Sequence, residues 1–227
     1  MGQRVAGEEL RAAEHSSIPK ATTGIEGLDD ILHGGLPRGR VSLVCGGPGC
    51  CKTLMATQFI ATGITQHGEP GVFVCTEESP RELANNFSPF GWALPELVEQ
   101  GRLAFVDVDP YLDESKSSGN YDLSGLFARI KAAVDRVGVG RIVLDSMDSL
   151  YSRFPGPTVL DREFRRLCQW LKDYGLTGLV TAGRGGEGLT EHRMEEYLSD
   201  CVLVLTRDVH NQKCLDFHYL SNPEVFH

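Results

Sequence analysis

No stretch of this chain is long enough and apolar enough to cross a bilayer as a helix. Its opening residues, MGQRVAGEELRAAEHSS, hold no apolar core segment and do not read as a secretory signal, so the expected location is cytoplasmic. Cysteine is present in the wrong pattern for a secreted scaffold. The seven residues Cys45, Cys50, Cys51, Cys75, Cys168, Cys201 and Cys214 are odd in number, with no C-x-x-C pair and no zinc spacing. Four of them lie in strand-like runs (VSLVC, GVFVC, CVLVL, KCLDF), where a reduced thiol acts as a small hydrophobe. Basic charge is also short. With 22 Lys and Arg against 31 Asp and Glu, the net charge of -9 argues against a general polyanion binder, because neutralising phosphates needs clustered cations. Repeats, low-complexity tracts and a clear linker are all missing. What remains is 227 residues of ordinary globular composition, 41% hydrophobic and 23% charged. A chain of that length buries a core without disulfide or metal.

Residues 1–17 are polar and carry no strand signal, so they are expected to form a mobile tail. Residues 18–227 are expected to form one domain. From Ile18 onward, short apolar runs alternate with helical patterns. RVSLVC, GVFVCTE, LAFVDV, RIVLDS and LTGLVTA read as strands. Between them, KTLMATQFIATGITQ, DLSGLFARIKAAVDRV and DREFRRLCQWLKDY read as helices, the first with Leu54, Met55, Phe59 and Ile60 on one face. SPRE opens a further helix as a capping box, with Ser79 at the cap, Pro80 in the first turn and Glu82 reaching back. This alternation indicates βαβ units and a mostly parallel sheet. CVLVLTRDVHNQKCLDFHYL breaks the pattern and predicts two strands around a polar turn, an antiparallel edge. The fold class is therefore α/β.

GGPGCCKT, residues 46–53, lies between the first strand and the first long helix and resembles a phosphate-binding loop, G-x-x-x-x-G-K-[ST]. Such a loop needs backbone N–H groups converging on phosphates at a helix N-terminus. It also needs a lysine for the outer phosphates and a hydroxyl for Mg²⁺, here Lys52 and Thr53. The candidate nucleotide-binding residues are Gly46, Gly47, Gly49, Cys50, Cys51, Lys52, Thr53 and Leu54. Cys51 stands where the pattern ends in glycine. If that position needs positive φ, the side chain costs about 1–2 kcal/mol and weakens binding about tenfold. If it is an ordinary helix start, the thiol is tolerated. A thiol at a helix N-terminus is also a candidate for redox chemistry. Substitution without regulatory purpose is the simpler account, and neighbouring cysteines make a poor disulfide.

Asp145 closes the apolar strand RIVLD, where a carboxylate can hold Mg²⁺ opposite Thr53. Glu77 and Glu78 close GVFVCTEE, and ligands of parallel sheets bind beyond the C-terminal strand ends. One of the two acids there can orient or deprotonate an attacking water. Solvated charges favoured by the next helix's dipole would look the same.

Taken together, these segments resemble the KaiC family of RecA-like ATPases, the group that includes the cyanobacterial circadian clock ATPase. ATTGIEGLDDILHGGLPRGRVSLVCGGPG is similar to the family's opening, VCTEESP to its acid pair with FGW following, VLDSMDSL to its Walker B segment, and RMEEYLSDCVLVL to its later E-E-[FY]-V-S-D run. The likeness runs from about Ile18 to about Thr206. It implies a RecA-like P-loop domain that assembles as a homo-oligomeric ring, usually a hexamer, with ATP between subunits and Mg²⁺ beside it. By the resemblance Glu77 and Glu78 are catalytic, Thr53 and Asp145 are metal ligands, and Lys52 meets the phosphates. Thr181 falls at the family's polar sensor, although a satisfied threonine at a strand end accounts for it equally well.

The departures from the family pattern are Cys51, Gly183 where T-G-E-R-G has its glutamate, and the C-terminal stretch LDFHYLSNPEVFH. That stretch has no Lys or Arg where the family carries a cation reaching the neighbouring subunit's γ-phosphate. Loss of such a group is worth about 10³–10⁵ in rate where arginine fingers have been measured. Arg184 and Arg193 are the available substitutes. A single domain of the first-half type implies neither self-phosphorylation nor timekeeping. Three functions fit. The first is a slow ring-forming ATPase with a regulatory role and protein partners. The second is a nucleotide-binding oligomeric switch with little hydrolysis. The third is a recombinase-like protein on single-stranded DNA, for which only Arg162, Arg165, Arg166 and Trp170 offer a cationic, stacking surface, on an ordinary amphipathic helix.

Overall fold

The structure, a computed structural model, describes residues 18–108, 124–138, 140–151, 157–185, 199–206 and 216–221, with 151, 157–160 and 216–221 described by their backbone alone. The expected tail, residues 1–17, lies outside the described residues, as does Arg193.

The described chain enters through a short antiparallel pair, β1 (Lys20–Ala21) and β2 (Leu36–Pro37), around the one-turn helix α1 (Leu28–Ile31). The Asp29 carboxylate gathers this entry by accepting the Thr23 N–H at 2.7 Å, the Thr23 hydroxyl at 2.8 Å and the Gly24 N–H at 3.0 Å. The alternation expected from sequence follows. It runs β3 (Val41–Gly46), α2 (Lys52–His67), β4 (Gly71–Cys75), α3 (Pro80–Phe87), a 3₁₀ turn over Ser88–Phe90, α4 (Leu94–Glu99) and β5 (Leu103–Asp107). Then come α5 (Ser124–Val137), β6 (Arg141–Asp145), α6 (Met147–Tyr151), α7 (Pro157–Asp173), β7 (Thr177–Ala182), β8 (Cys201–Thr206) and β9 (Asp216–Ser221). The Ser79 side chain and Glu82 form the capping box that opens α3.

Among the described residues the main sheet has the order β5-β4-β6-β7-β3-β8-β9. Its first six strands are parallel, and β9 runs antiparallel to β8. The strands read as continuous apolar runs because helices cover both faces. On one face Leu43, Val74, Leu144 and Val180 pack with Ile130 of α5 and Phe164 and Leu171 of α7. On the other, Val44, Phe73, Val143 and Leu179 pack with Met55, Phe59 and Ile60 of α2. Leu54, expected on that face, is only half-buried, because it lies in the first turn of α2 beside the loop.

One polar group is built into the apolar contact under α2. The Arg141 guanidinium, fully buried, donates to the Phe59 carbonyl at 2.8 Å, the Thr22 carbonyl at 2.7 Å and Glu69 Oε2 at 2.6 Å. It also lies 4.5 Å from the centroid of the Phe59 ring. Burial pushes its pKa down, and the bond to Glu69 works against that. A Cβ at Gly63 would lie 2.4 Å from Arg141 Cδ and Nε, so this mid-helix glycine makes room for the arginine. Arg141 thereby ties α2, β6 and the entry segment into one unit.

A candidate nucleotide site at the C-terminal sheet edge

The loop after β3 runs from Gly46 into Lys52 at the start of α2. Gly46 has no space for a side chain, because a Cβ there would sit 2.8 Å from the Leu205 carbonyl oxygen on β8. Gly49 turns at φ 76°. Cys51 turns at φ 62°, ψ 26°, so the position does require the left-handed conformation and the thiol side chain carries the strain. Cys50 is buried, whereas Cys51 is partly exposed with its Sγ 4.0 Å from the Gly49 carbonyl oxygen. Lys52 Nζ donates to the carbonyls of Gly46 at 2.8 Å and Gly47 at 3.3 Å, which places the ammonium across the mouth of the loop.

Strand order decides what faces that loop. β7 lies between β3 and β6, and its register sets Thr181 opposite Val44. The Thr181 hydroxyl therefore reaches Asp145 at the end of β6 and donates to its Oδ1. Thr53 stands near the same carboxylate and favours its charged form. Burial raises the Asp145 carboxyl above the ordinary aspartate value, with the Thr181 hydrogen bond, the nearby Thr53 side chain and the charge of Lys52 pulling it back. Two hydroxyls and a carboxylate held beside an ammonium form an oxygen-rich donor set, the chemistry that suits Mg²⁺.

The two acids turn to different partners. Glu77 Oε1 accepts a hydrogen bond from the Ser146 hydroxyl, directly after Asp145. Glu78 Oε2 accepts from Asn86 Nδ2 on α3 at 3.1 Å and so turns toward its own helix. The Asp145–Ser146 peptide is cis. Ser146 is held by buried Thr76, whose hydroxyl accepts the Ser146 N–H at 2.7 Å and donates to the Ser146 carbonyl at 2.8 Å.

Gly183, just beyond β7, donates its N–H to Asp148 Oδ2 at 2.6 Å, and a Cβ there would lie 3.1 Å from that oxygen. A side chain at 183 would set its Cβ tightly against the Asp148 carboxylate. Arg184 is exposed. The structure thus brings together Lys52, Thr53, Asp145, Thr181 and Glu77, and sets Glu78 apart. Thr76 and Ser146 escaped the sequence reading. Their one local signal is position, Thr76 immediately before the acid pair in VCTEES and Ser146 immediately after the strand-end aspartate in VLDSMDSL.

The family model of the KaiC ATPase matches residues 21–217. Circadian clock protein KaiC2 of Synechocystis sp. is 41% identical over 189 residues, covering 83% of this chain and 33% of that protein. The circadian clock oscillator protein KaiC of Prochlorococcus marinus is 40% identical over 203 residues, 88% of this chain and 41% of its own length. That of Synechococcus elongatus is 40% identical over 195 residues, 85% of this chain and 38% of its own. The chain thus spans only 33% to 41% of the length of these relatives. With its six parallel strands and helices on both faces, the chain belongs to the KaiC ATPase family and has that family's RecA-like α/β fold.

Proposed function

We propose that this chain binds Mg-ATP at residues 46–54 and hydrolyses it slowly, as a subunit of a cytoplasmic homo-oligomeric ring with a regulatory role. The observation that carries the reading is the convergence of Lys52, Thr53, Asp145 and Glu77 at the C-terminal edge of the sheet. Loop and helix N–H groups receive the phosphates, and Lys52 exchanges its loop carbonyls for phosphate oxygens. Thr53 and Asp145 are the residues that hold Mg²⁺. Bound there, the ion would supply positive charge against the phosphate oxygens. Glu77, anchored by Ser146, orients the attacking water and takes its proton. Glu78, bonded to Asn86, shapes the rim rather than the reaction.

The second reading, a nucleotide-dependent switch with little turnover, draws support from the strained Cys51. Two of the groups the DNA reading needs already have partners in the fold. Trp170 packs against Tyr174 at 4.5 Å and Phe127 at 6.4 Å, and Arg166 lies over Phe127 at 4.9 Å while pairing with buried Glu163 at 3.5 Å.

ATP affinity and phosphate release measured on wild type, Glu77→Gln and Glu78→Gln test the assignment. Glu77→Gln is expected to keep binding and lose turnover by about 10²-fold or more, with Glu78→Gln affected less. Wild-type turnover in Glu77→Gln would sink the catalytic role of that residue. Binding with no phosphate release in wild type would select the switch.

A further inference from the structure

We propose that Thr76 is a positioning residue for Glu77, acting through Ser146; this rests on the reading of Glu77 as the acid that orients water. Glu77 is exposed and lies beyond the end of β4, so neither the sheet nor the core fixes its side chain. Its described anchor is the Ser146 hydroxyl. That hydroxyl is useful only if the backbone of residue 146 is itself held, and 146 lies past the last residue of β6, where strand pairing ends.

Thr76 supplies the hold. It is 4% exposed and follows the last residue of β4. Its N–H donates to the Asp145 carbonyl at 3.0 Å, extending the β4–β6 pairing by one bond. Its hydroxyl has one proton to donate and lone pairs to accept with, and uses both on a single residue. It donates to the Ser146 carbonyl at 2.8 Å and accepts from the Ser146 N–H at 2.7 Å. Three bonds from one buried residue therefore fix the turn that carries both Asp145 and Ser146. The path runs from Thr76 across to Ser146 and back to Glu77, so neighbours in the chain are coupled through a segment about seventy residues away. A β-branched side chain suits the task because its χ1 is restricted, which aims the hydroxyl before any bond forms.

Valine keeps the shape of threonine and removes the hydroxyl. Serine keeps the hydroxyl. On the full chain, turnover at saturating Mg-ATP, affinity for a non-hydrolysable ATP analogue and the thermal midpoint are read for Thr76→Val, Thr76→Ser, Ser146→Ala, Thr76→Val with Ser146→Ala, and Glu77→Gln. Thr76→Val is expected to slow kcat by roughly tenfold to a hundredfold while analogue affinity stays within about twofold, and Thr76→Ser to recover most of the loss. The double variant is expected to be no slower than Ser146→Ala, because both substitutions cut one path. A purely structural threonine would instead lower the thermal midpoint and leave kcat per folded molecule unchanged. Should Thr76→Val not fold, Ser146→Ala carries the test, since it leaves the Thr76 backbone bonds intact and must still slow kcat. Wild-type kcat in Thr76→Val or in Ser146→Ala, with Glu77→Gln slow, overturns the positioning role alone. Wild-type kcat in Glu77→Gln overturns the reading of Glu77 and this proposal with it.

Discussion

Cys51 holds φ 62° and ψ 26°, a conformation glycine adopts freely and other residues adopt at about 1–2 kcal/mol. Cys51→Gly should return that energy, as a higher thermal midpoint by about 2–4 °C per kcal/mol, as up to about tenfold tighter ATP binding, or as the two in sum. Melting curves and calorimetry check it, and a variant worse in both would contradict the strain. Asp145 presents the opposite case, a buried group whose charge suits the ligand and opposes the fold. Burial raises its carboxyl, so the folded protein holds that proton more tightly than the unfolded chain does. Its contribution is fully present below the unfolded pKa of about 3.9 and is lost as pH rises through the folded value. Near neutral pH, Asp145→Asn should therefore melt higher than wild type without nucleotide. It should also lose the extra stabilisation that Mg²⁺ adds to ATP, read by melting with ATP in the presence of either Mg²⁺ or a chelator.

Helix α2 shows how an element is positioned against its own propensities. Alanine for a mid-helix glycine ordinarily gains about 1 kcal/mol. Gly63→Ala should instead destabilise this protein, because the added carbon lands 2.4 Å from the buried Arg141 side chain. Displacing Arg141 strains bonds to Phe59, Thr22 and Glu69, and a buried guanidinium without its partners is far costlier than a helical glycine. Thermal unfolding of Gly63→Ala gives the sign directly. Glu69 responds to pH in the sense opposite to Asp145. Burial pushes its carboxyl up, but hydrogen bonds from Arg141 and Arg38 more than offset that and hold it low. Its contribution is present above the unfolded glutamate value of about 4.3 and fades as pH falls through the folded one.

For the whole molecule, the proposed function would make one chain a fraction of the functional unit. Mg-ATP should then drive association into a closed ring, six-membered on the family pattern, measured by light scattering with and without nucleotide. A chain that stays monomeric at saturating Mg-ATP would contradict the ring. The stretch LDFHYLSNPEVFH holds no Lys or Arg, and the slow turnover under the proposed function is measured directly as phosphate release from the assembled protein.

The α/β alternation, the antiparallel final pair, the Ser79 capping box and the glycine loop were legible because each is local. Side-chain period, turn chemistry and cap spacing are properties of a few consecutive residues. The strand-end position of Asp145 was legible for the same reason. The partners of these residues were not. β7 lies between the loop strand and the strand of Asp145, and only that order lets Thr181 bond the carboxylate. Glu77 and Glu78 are neighbours in the chain, yet one bonds Ser146 and the other Asn86, because the β4–β6 register carries residue 146 to the level of Thr76, next to Glu77. The left-handed turn at Cys51 and the space that Gly63 leaves for Arg141 belong to the same class. Sequence determined which groups are present and in which local geometry. Tertiary structure decided which of them meet, because a hydrogen bond a few ångströms long between strands far apart in the chain is set by sheet order and register.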